Sequence, residues 1–165
     1  MSLRRGTSPR VLVLGIGNLV MSDDGVGVKV VQQLQREFRF ADSVEILDGG
    51  TLGLDLLPKL EGIDHLIVVD AVETGRKPGT CVRLAGEELP IALETKVSPH
   101  QMGLKDLLSV AQLLGHSPGE MVLIGVQPGS IEMDTELTPE VEAVLQQLVD
   151  NVLDELKKTG ITPLG

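Results

Sequence analysis

Tryptophan and tyrosine are absent from this chain, and Phe38 and Phe40 are its only aromatic residues. Hydrophobic residues nonetheless make up 42% of it, so the core must be aliphatic, built from Val, Leu and Ile. The same lack removes the stacking platforms on which single-strand nucleic-acid binders lay successive bases. Positive charge is scarce as well. Lys and Arg total 14 against 24 Asp and Glu, and the formal net charge of -10 repels a phosphate backbone over much of the surface. Nucleic acid is therefore not expected as a partner.

A single cysteine, Cys81, allows neither an internal disulfide nor a CxxC zinc pair, and it reads as a small residue on a strand. A chain without disulfides suits a reducing cytoplasm. No run approaches the ~18 apolar residues that a membrane helix requires. Arg4 and Arg5 precede the apolar "VLVLGIG" in the manner of an export signal, but Asn18, Asp23 and Asp24 interrupt the stretch and no small-residue cleavage site follows. We expect residues 1–10 to form a disordered leader and residues 11–160 a single α/β domain, because 165 residues is about the length of one domain. The sequence also lacks the HExxH of helix-borne zinc proteases and the GxSxG turn of serine hydrolases.

What is present is an alternation of short apolar runs and amphipathic stretches. Val11 to Leu14, Val44 to Leu47, Leu66 to Val69, Thr80 to Leu84 and Met121 to Val126 read as strands, the central ones buried on both faces. Ser22 is placed to cap a helix carrying Val26, Val30, Val31 and Leu34, and Thr51 one carrying Leu52, Leu56, Leu57 and Leu60. Ser98-Pro99-His100-Gln101 fits a capping box ahead of Leu104, Leu107, Leu108 and Ala111. A last helix opens at Thr138-Pro139-Glu140 and carries Val141, Val144, Leu148, Val152 and Leu156. This order argues for a sheet covered on both faces. The linker from Ala71 to Gly79 is too short to hold a crossover helix, so the fourth strand should run antiparallel in a mixed sheet.

Three separated segments each end on a metal-ligand type: Asp24, Asp70 and His100. Each has a plain structural reading. Asp23 and Asp24 would lie in a first helical turn, where the helix dipole favours negative charge whatever the function. Asp70 could close a turn, and His100 could be an exposed first-turn residue. Yet Asp70 directly follows "HLIVV", at the carboxyl end of a buried strand, where open α/β sheets bind ligands. A helix start disfavours imidazolium and keeps a His100 nitrogen available to a metal. His65 and His116 have no comparable partners and are assigned to surface or structure. Gly15-Ile16-Gly17 after a first strand, with Asp48 after the second, also admits a dinucleotide-binding reading, although Val20 stands where a third glycine is needed.

The segments "LGIGNLVMSDDGVGV", "VEILDGGTLGLDLL", "DHLIVVDAV" and "SPHQMGLKDLL" together resemble the hydrogenase maturation proteases, over almost all of Val11 to Gly160. The resemblance implies a three-layer α/β/α sandwich, phosphorylase/hydrolase-like, with a five-stranded mixed sheet in the order 2-1-3-5-4 and strand four antiparallel. It implies an endopeptidase that removes the C-terminal extension of a nickel-iron hydrogenase large-subunit precursor after nickel insertion. The family's ligand positions fall on Asp24, Asp70 and His100, with Asp24 standing where many members have the longer Glu. The nickel would be held by the precursor and probed by the protease, and Gly17, Asn18, Gly49, Gly50 and Thr51 would shape the cleft walls. A monomer is expected. The rivals are a non-enzymatic nickel-binding checkpoint or chaperone using the same ligands, and the dinucleotide-binding module.

Overall fold

The computed structural model describes residues 9–50, 54–89 and 104–165. The regular elements are β1 (Val11–Ile16), α1 (Val26–Glu37), β2 (Val44–Gly50), α2 (Leu57–Leu60), β3 (His65–Ala71), β4 (Cys81–Ala85), α3 (Leu104–Leu113), β5 (Glu120–Val126), α4 (Pro139–Glu142) and α5 (Leu145–Lys158). They build one five-stranded sheet in the order β2-β1-β3-β5-β4. Only β4 runs antiparallel, against β5, as the short linker before it requires.

The central strands β1, β3 and β5 are apolar along most of their length because both faces are covered. Val11 and Val13 of β1, Ile67 and Val69 of β3, and Ile124 and Val126 of β5 pack with Val30, Val31 and Leu34 of α1, Val141 of α4 and Leu148, Val152 and Leu156 of α5. The alternate residues Leu12, Leu14, Leu66, Val68 and Leu123 pack with Leu60 of α2 and Leu104, Leu107 and Ala111 of α3. The period of two in each strand thus divides one hydrophobic run between two helical layers.

Local structure departs from expectation in several places. β2 runs on to Gly50 rather than ending at Leu47, with a bulge that pairs Gly15 with Asp48 and Ile16 with Gly50. Ser22 does not cap α1: it opens a 3-10 turn, Ser22–Gly25, and its hydroxyl donates to Glu136 O at 2.9 Å. The last helix is two pieces, because the chain leaves helical geometry at Val144 (φ -108, ψ 8). Thr138 fixes the first piece by donating both its N–H and its hydroxyl to Asp23, so it does not cap the helix with its side chain. Of the second expected helix, a 3-10 turn (Leu54–Leu56) and the single turn of α2 are present. Thr51 and the capping box at residues 98–101 lie outside the described residues, as do residues 1–8 of the leader. Arg10 is already tied in, its N–H donating to Asp64 Oδ2 at 2.8 Å.

The outer strand β4 is fastened to α5 by Arg83, whose Nε and Nη2 donate to the two carboxylate oxygens of Glu155 at 2.6 and 3.1 Å. Lys158 Nζ adds a third bond at 3.0 Å. The Arg83 hydrogen bonds hold the Glu155 carboxyl below the usual carboxylate range, against a burial that raises it. A lowered native value stabilises the fold above the ordinary carboxylate range, and that contribution is lost as pH falls through the lowered value. Since the Arg83 side chain is half exposed, we expect Arg83→Met to cost only about 1 kcal/mol at neutral pH. In urea unfolding the gap between the two proteins should close as the pH is taken below ~4.

Candidate active site

The carboxyl ends of β1 and β3 meet the start of α1 with no space for side chains between them. A Cβ on Gly27 would lie 2.0 Å from Val69 O and 2.6 Å from Ile16 O, so the helix backbone enters directly between the two strand ends. Gly15 meets it from below, where a Cβ would fall 2.3 Å from Gly27 O. Beyond β1, Gly17 takes φ +140, and a Cβ there would fall 1.8 Å from Asp24 O. Only glycine satisfies both conditions. Its N–H donates to Gly50 O at 2.7 Å, which joins the two loops expected to wall the cleft.

This packing buries two adjacent carboxylates. Asp23 is 0% exposed. Its Oδ2 accepts from Gly129 N at 2.7 Å, Ser130 N at 3.1 Å and Thr138 Oγ1 at 2.7 Å, while Oδ1 accepts from Thr138 N at 2.8 Å. The helix-dipole role expected of Asp23 therefore gives way to a tie between the 3-10 turn and the loop after β5. Nothing local in the sequence marks it, because its partners lie 106 to 115 residues away. Asp24 is 1% exposed, and its Oδ2 accepts from Asn18 N at 3.0 Å. Its Oδ1 is buried and has no hydrogen-bond partner among the described residues.

Asp70 is 3% exposed and sits in β3 opposite Gly125 of β5. Its Oδ1 accepts from Ala71 N at 2.8 Å. By strand alternation it shares the face of Leu66 and Val68, which pack in the layer that contains Leu104 of α3. The 3-10 turn that carries Asp24 also lies against β3. Asp24 and Asp70 thus arise at one end of the sheet, from neighbouring strands β1 and β3 that pair in parallel. His100 lies outside the described residues, four positions before Leu104 in the sequence. Among the described residues no group of three His, Cys, Asp or Glu side chains gathers in metal-binding range.

The remaining candidates fall elsewhere. His65 Nδ1 lies 3.5 Å from Glu120 Oε2 at the amino ends of β3 and β5, and His116 Nε2 lies 3.7 Å from Glu61 Oε2. Burial pushes the Cys81 thiol up, as befits a structural residue on β4 rather than a nucleophile. A dinucleotide finds no welcome at the first glycine loop. The Asn18 N–H is already committed to Asp24, and two buried carboxylates occupy the region where a pyrophosphate would need free amides.

Comparison with known proteins assigns this architecture. The sequence model described as hydrogenase maturation protease matches residues 28–155. The chain is 42% identical over 153 residues to the hydrogenase 2 maturation protease of Escherichia coli strain K12, covering 92% of this chain and 93% of that one. It is 39% identical over 159 residues to the hydrogenase expression/formation protein HupD of Thiocapsa roseopersicina, covering 94% and 71%. The structure of the hydrogenase-maturating endopeptidase HybD from E. coli superposes with a TM-score of 0.87 over 94% of this chain and 96% of that one. The NiFe hydrogenase maturation protease HybD from Thermococcus kodakarensis, 31% identical, gives 0.73 over 89% and 98%. A sandwich whose sheet end holds buried carboxylates is here the scaffold of a peptidase. The chain belongs to the hydrogenase maturation protease family.

The close approach at α1 yields a direct expectation. Gly27→Ala should cost about 3 kcal/mol in urea unfolding, since the obstructing atoms are backbone carbonyls that cannot rotate away. A loss below ~0.5 kcal/mol, the range of an inconsequential surface change, would mean that the helix start is free to shift.

Proposed function

We propose that this endopeptidase removes the C-terminal extension of a nickel-iron hydrogenase large-subunit precursor after nickel has been inserted. Asp24, Asp70 and His100 add ligands to a nickel ion that the precursor already holds. The metal is part of the substrate, and the protease inspects it. The observation that carries this reading is Asp24 Oδ1, a buried carboxylate oxygen without a donor among the described residues, at the carboxyl end of the central strands. Leaving such an acceptor unpaired costs ~1–3 kcal/mol, which an arriving cation offsets. Carboxylate and imidazole are compatible ligands for Ni(II).

The rest of the chain supports the same reading. Gly17 and Asn18 hold Asp24 from the strand side, with the Asn18 N–H fixing one carboxylate oxygen and so orienting the other. Asp70, fixed through Oδ1 by the Ala71 N–H, stands on the face of the sheet where α3 packs. A protein of net charge -10 with no stacking residues has no use for nucleic acid. No described helix is long and apolar enough to cross a membrane. We assign the protein to the cytoplasm, acting as a monomer on its precursor.

Intact-mass measurement of a large-subunit precursor, incubated with the protease before and after nickel loading, tests this function. Loss of a C-terminal peptide from the loaded precursor alone is the expected result. Binding without shortening in either state would replace the peptidase with a checkpoint. Asp70→Ala and His100→Ala should each abolish processing while leaving the unfolding midpoint near that of the wild type, and full activity in either variant would refute the three-residue site.

A further inference from the structure

The turn that presents Asp24 is held in a conformation that its own sequence does not favour. Ser22 sits at φ +51, a left-handed conformation that a non-glycine residue keeps only where its surroundings enforce it. Ser22 and the three residues after it form a 3-10 turn instead of a first α-helical turn, and no side chain caps either element. What enforces this geometry comes from the far end of the chain. Ser22 N donates to Asp134 O, Asp134 N to Val20 O and Asp23 N to Ser130 O, at 2.8, 3.0 and 3.1 Å. The Ser22 hydroxyl reaches Glu136 O, and Lys29 Nζ reaches Thr135 O at 3.1 Å.

At the centre of these contacts is Asp23, whose two oxygens take four hydrogen bonds from Gly129, Ser130 and Thr138. Its neighbour in sequence, Asp24, has a buried oxygen that is unpaired among the described residues. Building on the function proposed above, we infer that Asp23 is a positioning residue. Through Gly129, Ser130 and Thr138 it locks the loop after β5 onto the Ser22–Gly25 turn, and this aims Asp24 Oδ1 at the metal in the substrate.

The lock has a defined chemistry. A carboxylate is acceptor-only and can take all four donors, whereas an amide at the same position would set an NH2 against N–H groups. Removing the side chain would leave three N–H donors and a hydroxyl without their partner. Thr138 is the informative member, because its hydroxyl can be deleted without changing its shape, as Thr138→Val, or retained with less bulk, as Thr138→Ser. It lies outside the proposed ligand set, so any effect on chemistry must be transmitted through Asp23.

The test combines kinetics on nickel-loaded precursor with amide hydrogen exchange at Asn18, whose N–H is bonded to Asp24 Oδ2 and so reports where that carboxylate sits. Thr138→Val should lower kcat at least ~tenfold with KM within ~twofold, the pattern of an interaction made in the transition state. Exchange at Asn18 should quicken in parallel, and Thr138→Ser should restore both. Wild-type kcat in Thr138→Val would overturn the proposal. So would a fall in kcat with Asn18 protection unchanged, or a serine variant as impaired as valine, since packing alone would then be at issue. Asp23→Asn should exceed Thr138→Val in both readouts. Should the wild-type protein leave the loaded precursor uncut, the peptidase function falls, and exchange at Asn18 then decides the positioning role alone: quickening in Thr138→Val upholds it and no change refutes it.

Discussion

Gly27 brings the first turn of α1 to within a carbonyl's width of the ends of β1 and β3, and the site owes its form to that approach. A helix starting a few ångströms farther out would leave Asp24 in water, where both its oxygens would find hydrogen-bond donors. Because Gly15, Gly17 and Gly27 carry no Cβ, the backbone closes over Asp23 and Asp24 and buries both. Burial then separates their fates. The first carboxylate is met by four donors and becomes structure, and the second is left with one oxygen that no described residue satisfies.

On the proposed function, that division leaves the protease a simple task. The described part of the site contains no serine elbow, no activated cysteine and no gathered trio of metal-binding side chains. In the proposed function it supplies part of a coordination sphere, at one end of a mixed sheet. If the missing part arrives inside the substrate, recognition and reaction share one event, and a precursor lacking its metal is spared because it cannot complete the site.

The central strands were legible in the sequence because "VLVL", "LIVV" and "MVLI" are apolar at every position, which only doubly covered strands require. The reversed direction of β4 followed from a linker too short for a crossover. Asp24 and Asp70 could be read as residues of one sheet end because each closely follows a strand that had to be central. The role of Asp23 could not, since Gly129, Ser130 and Thr138 reach it only through tertiary folding. The last helix opens at Thr138 as expected, but Thr138 gives its hydroxyl to Asp23, and the break six residues later at Val144 was not legible. Ser22 likewise has a capping residue's chemistry and is held instead in a left-handed conformation.

The central claim is that this protein supplies ligands to a metal it does not own. X-ray absorption at the nickel edge, on loaded precursor alone and on precursor mixed with the protease and frozen before cleavage, examines that claim at the metal itself. The account predicts that oxygen and nitrogen neighbours are gained in the mixture and that the oxygen contribution falls when Asp24→Ala replaces the wild type. A nickel environment identical with and without the protease would contradict it.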